Sequence, residues 1–250
     1  MEQALRALAA RLRGARTITV MTGAGISAAS GVPTFRGSEG LWRSFRPEDL
    51  ATASAFARDP ALVWEWYAWR RGRVASCQPN AAHHVLARWS RDQTKRVRVI
   101  TQNVDDLHVR AGTHELVRLH GSLWETKCFN ACAAGVHAWR DESVALTDDL
   151  PRCPHCGGLA RPAVVWFGEA LDPAAVDRAL GLLSCDVFLT VGTSAIVYPA
   201  AGLVREAQAR GAFTAEINLE PTPASSSVDL SLLGAAEHVL PSLDGMLGAE

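Results

Sequence analysis

Four short runs of the chain are rich in β-branched and apolar residues: 17–22 (TITVMT), 97–101 (VRVIT), 187–191 (VFLTV) and 214–219 (TAEINL). Runs of this length and type read as strands covered on both faces, and the first breaks at Gly23 into a glycine turn. Between them lie stretches with helical spacing at 60–74, 81–90, 173–183 and 200–210, the last stopped by Gly211. At the N-terminus, Leu5, Leu8, Ala9 and Leu12 fall on one face of an amphipathic helix, interleaved with Arg6, Arg11 and Arg13. Strands alternating with helices predict an α/β fold, a Rossmann-like, doubly wound parallel sheet. Residues 122–161 break the rhythm, with few periodic segments, several turn residues and four clustered cysteines. They predict a small inserted module, stapled rather than well cored. The expected division is 1–121 and 162–250 for the sheet domain and 122–161 for the module, with a helical part of the small domain within 37–80.

Composition narrows the class. A length of 250 residues with 48% hydrophobic and 20% charged residues suits a folded soluble chain. A formal charge of −1 leaves no electrostatic footprint for nucleic acid or an anionic membrane. There is no apolar core of signal-peptide length and no run near the roughly 20 residues that span a bilayer. A cytoplasmic protein is the expectation. The cysteines agree: Cys128, Cys132, Cys153 and Cys156 cluster, while Cys77 and Cys185 stand alone. In a reducing compartment such clustering points to a metal site before a disulfide framework.

The chemistry sits where a parallel sheet presents its carboxyl ends. Gly23-Ala24-Gly25-Ile26-Ser27-Ala28 is a G-x-G-x-x-A turn, which lets backbone approach a pyrophosphate near a helix N-terminus. The usual dinucleotide fold then places an acid at the end of the next strand, about 20 residues on. Here residues 31–37 (GVPTFRG) are no strand, so hydride transfer fits poorly. Gln102, Asn103 and Asp105 follow the second strand, Gly192, Thr193 and Ser194 the third, and Asn218, Leu219 and Glu220 close the fourth. Any one set suits a cap or turn; together with the glycine turn they suit ribose hydroxyls and a carboxamide. His120 is a candidate general base at neutral pH, or a structural histidine. Cys128-x3-Cys132 and Cys153-x2-Cys156 have the spacing of two zinc knuckles, whose closed four-sulfur site would be structural. Four reduced thiols, or a redox pair of Cys153 and Cys156, are the alternatives.

The order of GAGIS, PTFRG, TQNVD, LHGSL, the paired cysteines, VVWFGE, GTS and NLE resembles the sirtuin family, over residues 17–239. The resemblance implies an NAD-dependent protein lysine deacylase with one structural Zn2+, working on acyl-lysine peptides as a monomer. Gly23, Ala24, Gly25, Ile26, Ser27, Phe35, Arg36 and Trp42 would hold the pyrophosphate and nicotinamide side. Gln102, Asn103 and Asp105 would line the ribose and nicotinamide pocket. Gly192, Thr193, Ser194, Asn218, Leu219 and Glu220 would hold the adenosine half, with Ala236 near the adenine. His120, with Asn103, would be catalytic. The acyl oxygen attacks C1′ of the nicotinamide ribose, and His120 then lets the 2′-hydroxyl attack the alkylimidate. Val165, Trp166, Phe167, Gly168 and Glu169 would pair with substrate backbone. Tyr67 and Arg70, at i and i+3 of one helix, resemble the pair that binds the distal carboxylate in the succinyl, malonyl and glutaryl branch, and Ala51 resembles the small residue that widens its pocket. The first cysteine pair has one more intervening residue than the family commonly has, which leaves His137 or His155 as alternative ligands. An NAD glycohydrolase or ADP-ribosyltransferase on the same scaffold would need no acyl-lysine channel.

Overall fold

The computed structural model describes residues 2–34, 46–133, 137–145, 149–194 and 202–248. Its first half contains α1 (Glu2–Gly14), β1 (Thr17–Thr22), a 3-10 helix (Ala24–Ser30), α2 (Pro47–Leu50), α3 (Ala53–Arg58), α4 (Pro60–Ala75), α5 (Ala81–Arg91), β2 (Arg96–Thr101), α6 (Leu107–Ala111) and β3 (Leu116–Arg118). Then come β4 (Gly121–Cys128), β5 (Trp139–Arg140), β6 (Ala160–Val164), α7 (Pro173–Gly181), β7 (Val187–Val191), α8 (Leu203–Ala209), β8 (Phe213–Asn218), β9 (Leu230–Leu233) and α9 (Ala236–Gly248).

The four apolar runs form the centre of one parallel sheet, ordered β3-β2-β1-β7-β8-β9. Both faces are covered, which is why these strands lack a polar stripe. On one face, Leu8 and Leu12 of α1, Leu86 of α5 and Leu240 and Leu243 of α9 bury Val20, Val99, Leu189 and Ile217. On the other, Ala175 and Ala179 of α7 and Val204 and Ala207 of α8 pack with Met21, Ile100 and Phe188. Successive strands run outward from β1 to β3 and from β7 to β9 in opposite directions. The order therefore reverses between β1 and β7, where open α/β sheets leave a crevice at their carboxyl ends.

A second, antiparallel sheet, β5-β4-β6, packs with α2 to α4 around Phe56, Trp64, Tyr67, Leu123, Trp124 and Trp166. The indole of Trp64 donates to the Ala160 carbonyl at 2.9 Å, joining α4 to β6. An eight-residue strand, β4, thus occupies a stretch whose sequence showed little periodicity; side chains alternate inward and outward only over its second half. The helix expected over 173–183 ends at Gly181, and that expected over 200–210 is described from Leu203.

Candidate active site and metal centre

The crevice is closed by backbone before any side chain enters it. The Gly25 amide donates to the Gly192 carbonyl at 2.8 Å, and the Gly23 amide to the Val191 carbonyl at 3.1 Å. A Cβ on Gly25 would lie 2.8 Å from that carbonyl oxygen, and one on Gly192, whose φ is +60°, 2.3 Å from the Ile26 nitrogen. These glycines therefore let the turns after β1 and β7 lock together, a reason separate from the approach of a phosphate. Polar side chains tie the remaining strand ends to this lock. Asn103 Nδ2 donates to the Gly23 carbonyl at 3.1 Å and to Ser27 Oγ at 3.2 Å. Gln102 Nε2 donates to Thr193 Oγ1, and Asn218 Nδ2 to the Thr193 carbonyl, each at 2.9 Å. Ser194 is half-buried and Ala236 buried, Leu219 and Glu220 are exposed, and Ile26 points into the core. Phe35, Arg36 and Trp42 lie outside the described residues.

Asp105 is buried beside this network. Its Oδ1 accepts from the Leu107 amide at 2.9 Å, yet burial still pushes the carboxyl above its ordinary pKa. His120 follows β3, and its Nδ1 lies 3.0 Å from the Gln102 carbonyl. A carbonyl can only accept, so Nδ1 carries the hydrogen and Nε2 is left basic. Burial lowers the His120 pKa, and the bond to Gln102 opposes it.

Tyr67 and Arg70 project from α4 into one buried patch, 2% and 7% exposed. Burial raises the phenol's pKa and lowers that of the guanidinium, whose charge is upheld by Tyr67 and Asp105. The segment after β6 seals this patch: the Val165 amide donates to the His120 carbonyl at 3.0 Å and the Phe167 amide to the Ala51 carbonyl at 2.9 Å. Ala51 thus meets the residues expected to receive substrate. Phe167 and Gly168 are exposed, whereas Glu169 faces inward, its carboxylate bonded to Arg161 and to the Trp166 amide.

The ligand atoms of Cys128, Cys132, Cys153 and Cys156 all lie within 4.8 Å of one another. The pairs Cys128–Cys156 and Cys132–Cys153 are each separated by 3.7 Å, far beyond a disulfide bond. Zn–S bonds of about 2.3 Å in a tetrahedron give S···S edges of about 3.8 Å. The cluster fits one zinc through four sulfurs, with neither His137 nor His155 among its members.

Sequence reasoning missed a buried histidine pair beneath the crevice. His83 of α5 and His108 of α6 pack with ring centroids 4.9 Å apart and ring planes tilted by 58°. Burial lowers their pKa values to about 2 and about 4. His83 completes a capping box with Asn80, and His108 Nε2 lies 2.9 Å from Thr22 Oγ1. The only signal was Asn80 three residues before His83, with histidine where a capping box normally has Glu or Gln.

A model described as the Sir2 family matches residues 23–199. The chain belongs to the Sir2 family. It is 47% identical over 227 residues to NAD-dependent protein deacylase 1 of Archaeoglobus fulgidus, covering 90% of this chain and 91% of that protein. It is 44% identical over 252 residues to the mitochondrial NAD-dependent protein deacylase sirtuin-5 of Canis lupus familiaris, covering 91% and 80%. A solved Sir2 homolog–NAD complex superposes with a TM-score of 0.88 at 42% identity, covering 97% and 95% of the two chains. In this Sir2-family protein the amides, hydroxyls and carboxylate at the strand ends form a donor and acceptor set that suits NAD, and the four sulfurs suit one structural zinc.

Proposed function

We propose that this Sir2-family protein is an NAD-dependent protein lysine deacylase that removes succinyl, malonyl and glutaryl groups and, less selectively, acetyl, releasing nicotinamide and O-acyl-ADP-ribose. The enzyme class rests on family membership and on relatives named as NAD-dependent protein deacylases. The acyl preference rests on one observation: Tyr67 and Arg70 share a buried patch lying between Asp105 and the segment that bonds Ala51. The guanidinium lies over the Trp66 and Tyr67 rings, 4.8 and 5.5 Å from their centroids, and its planar fork matches a carboxylate. The phenol stays protonated at neutral pH, since burial raises its pKa, and supplies a further donor.

In this reading NAD and acyl-lysine are co-substrates. Asn103 and Asp105 orient the nicotinamide ribose, and Ser27 fixes the Asn103 amide. Nε2 of His120 takes the proton from a ribose hydroxyl, while the Gln102 carbonyl holds the imidazole in the required tautomer. Zinc, when bound, would tie the end of β4 to the 153–156 turn that precedes β6 and would supply no chemistry at the crevice.

Nicotinamide release from NAD with matched succinyl-lysine and acetyl-lysine peptides tests the reading. Arg70→Met should lower kcat/KM for the succinyl peptide by about 100-fold, the scale of one lost charge-assisted pair, and that for the acetyl peptide by much less. Equal losses on both peptides would refute the carboxylate role.

A further inference from the structure

The indole of Trp166 is 2% exposed and is held from several sides. Phe56 packs on it at a centroid distance of 5.4 Å, and the Arg161 guanidinium carbon lies 3.3 Å from its ring centroid. Arg161 is itself gripped by both oxygens of Glu169, and Glu169 Oε2 accepts from the Trp166 amide at 2.9 Å. The indole therefore has one orientation. In that orientation Nε1 points at Tyr67 Oη, 2.9 Å away across 99 positions of sequence.

We infer that Trp166 sets the acyl specificity of the pocket by forcing the Tyr67 hydroxyl to act as a donor toward the acyl terminus. The inference rests on the acidic-acyl reading above and adds the residue that turns the Tyr67 hydrogen toward the acyl terminus. An indole N–H cannot accept, so Tyr67 Oη must accept from it. The Arg70 guanidinium lies over the same ring, its carbon 5.5 Å from the Tyr67 centroid, and it likewise only donates. With the indole N–H seated on one side of Oη, the O–H hydrogen is turned away from Nε1 and toward another acceptor. Without Trp166 the hydroxyl could rotate and accept from water or a donor-bearing acyl group. With Trp166 in place, Oη already accepts from Nε1, and Tyr67 and Arg70 turn O–H and N–H hydrogens toward the acyl terminus. A carboxylate, which offers only acceptors, satisfies them all; a methyl group satisfies none.

Trp166→Phe keeps an aromatic ring and removes the N–H. The ratio of kcat/KM for succinyl-lysine over acetyl-lysine peptide should fall about tenfold, the scale of one hydrogen bond, chiefly through KM for the succinyl peptide. In a Tyr67→Phe background the same change should move that ratio less than twofold, because Trp166 acts through the hydroxyl. Should Trp166→Phe fail to fold, site-specific replacement of Trp166 by its benzothiophene analogue deletes the N–H at nearly constant volume. Equal losses on both peptides, or an undiminished effect in the Tyr67→Phe background, would overturn the inference while leaving the acidic-acyl reading intact. A wild-type enzyme with no preference for succinyl would overturn both.

Discussion

The base role proposed for His120 rests on one hydrogen bond and one environment. Donation from Nδ1 to the Gln102 carbonyl fixes the tautomer, and burial keeps the ring neutral. The base must be unprotonated to work, so its activity is lost as pH falls through its folded pKa. Because that pKa is lowered, the acid limb of kcat/KM should lie below 6.5, the ordinary value for a histidine. A limb at or above 6.5 in the free enzyme would contradict this assignment. His120→Ala should cost at least about 100-fold in kcat while near-ultraviolet circular dichroism stays unchanged, since the ring is only half-buried and supports no core cluster.

At the scale of elements, the antiparallel sheet has two supports, the core it shares with α2 to α4 and the cysteine cluster at the end of β4. β5 has two residues and β6 five, too little to hold β4 by itself. We expect close to one zinc per chain by elemental analysis. Cys153→Ser should lower both that stoichiometry and the melting temperature; a metal-free protein with wild-type melting would show that the sulfurs are only thiols. The damage should also reach the acyl patch, because β6 carries Arg161, which clamps Trp166. How far such elements were legible depends on where their contacts lie. β1, β2, β7 and β8 were readable to within a residue, since burial on both faces leaves a run of β-branched and apolar residues. β4 was not, because Ser122, Glu125, Thr126 and Lys127 dilute its alternation among turn-forming neighbours. The glycine turn was readable, but its packing against Gly192 was not, as that contact lies about 170 positions away in sequence. The spacing of Tyr67 and Arg70 could be read from one helix; the bond from Trp166 could not.

At the scale of the molecule, the buried histidine pair couples the fold to pH. His83 and His108 sit where α5, α6, β1 and β2 converge, and Ser27 links them to Asn103 in the crevice. Their folded pKa values, about 2 and about 4, lie below the 6.5 expected for an unfolded histidine. The unfolded state therefore binds more protons than the folded state at pH 5, and stability must rise with pH there. Integrated from pH 7 to pH 5, each ring removes about 2 kcal/mol of stability. Asp105 works in the opposite direction, since its raised carboxyl takes up a proton sooner in the folded state. The pair can be separated from such groups by comparing variants at matched pH with zinc present throughout. Urea unfolding of the wild type and of His108→Asn at pH 7 and pH 5 should show the acid-induced loss shrinking by about 2 kcal/mol in the variant. An unchanged loss would mean that His108 does not stay neutral in the folded protein.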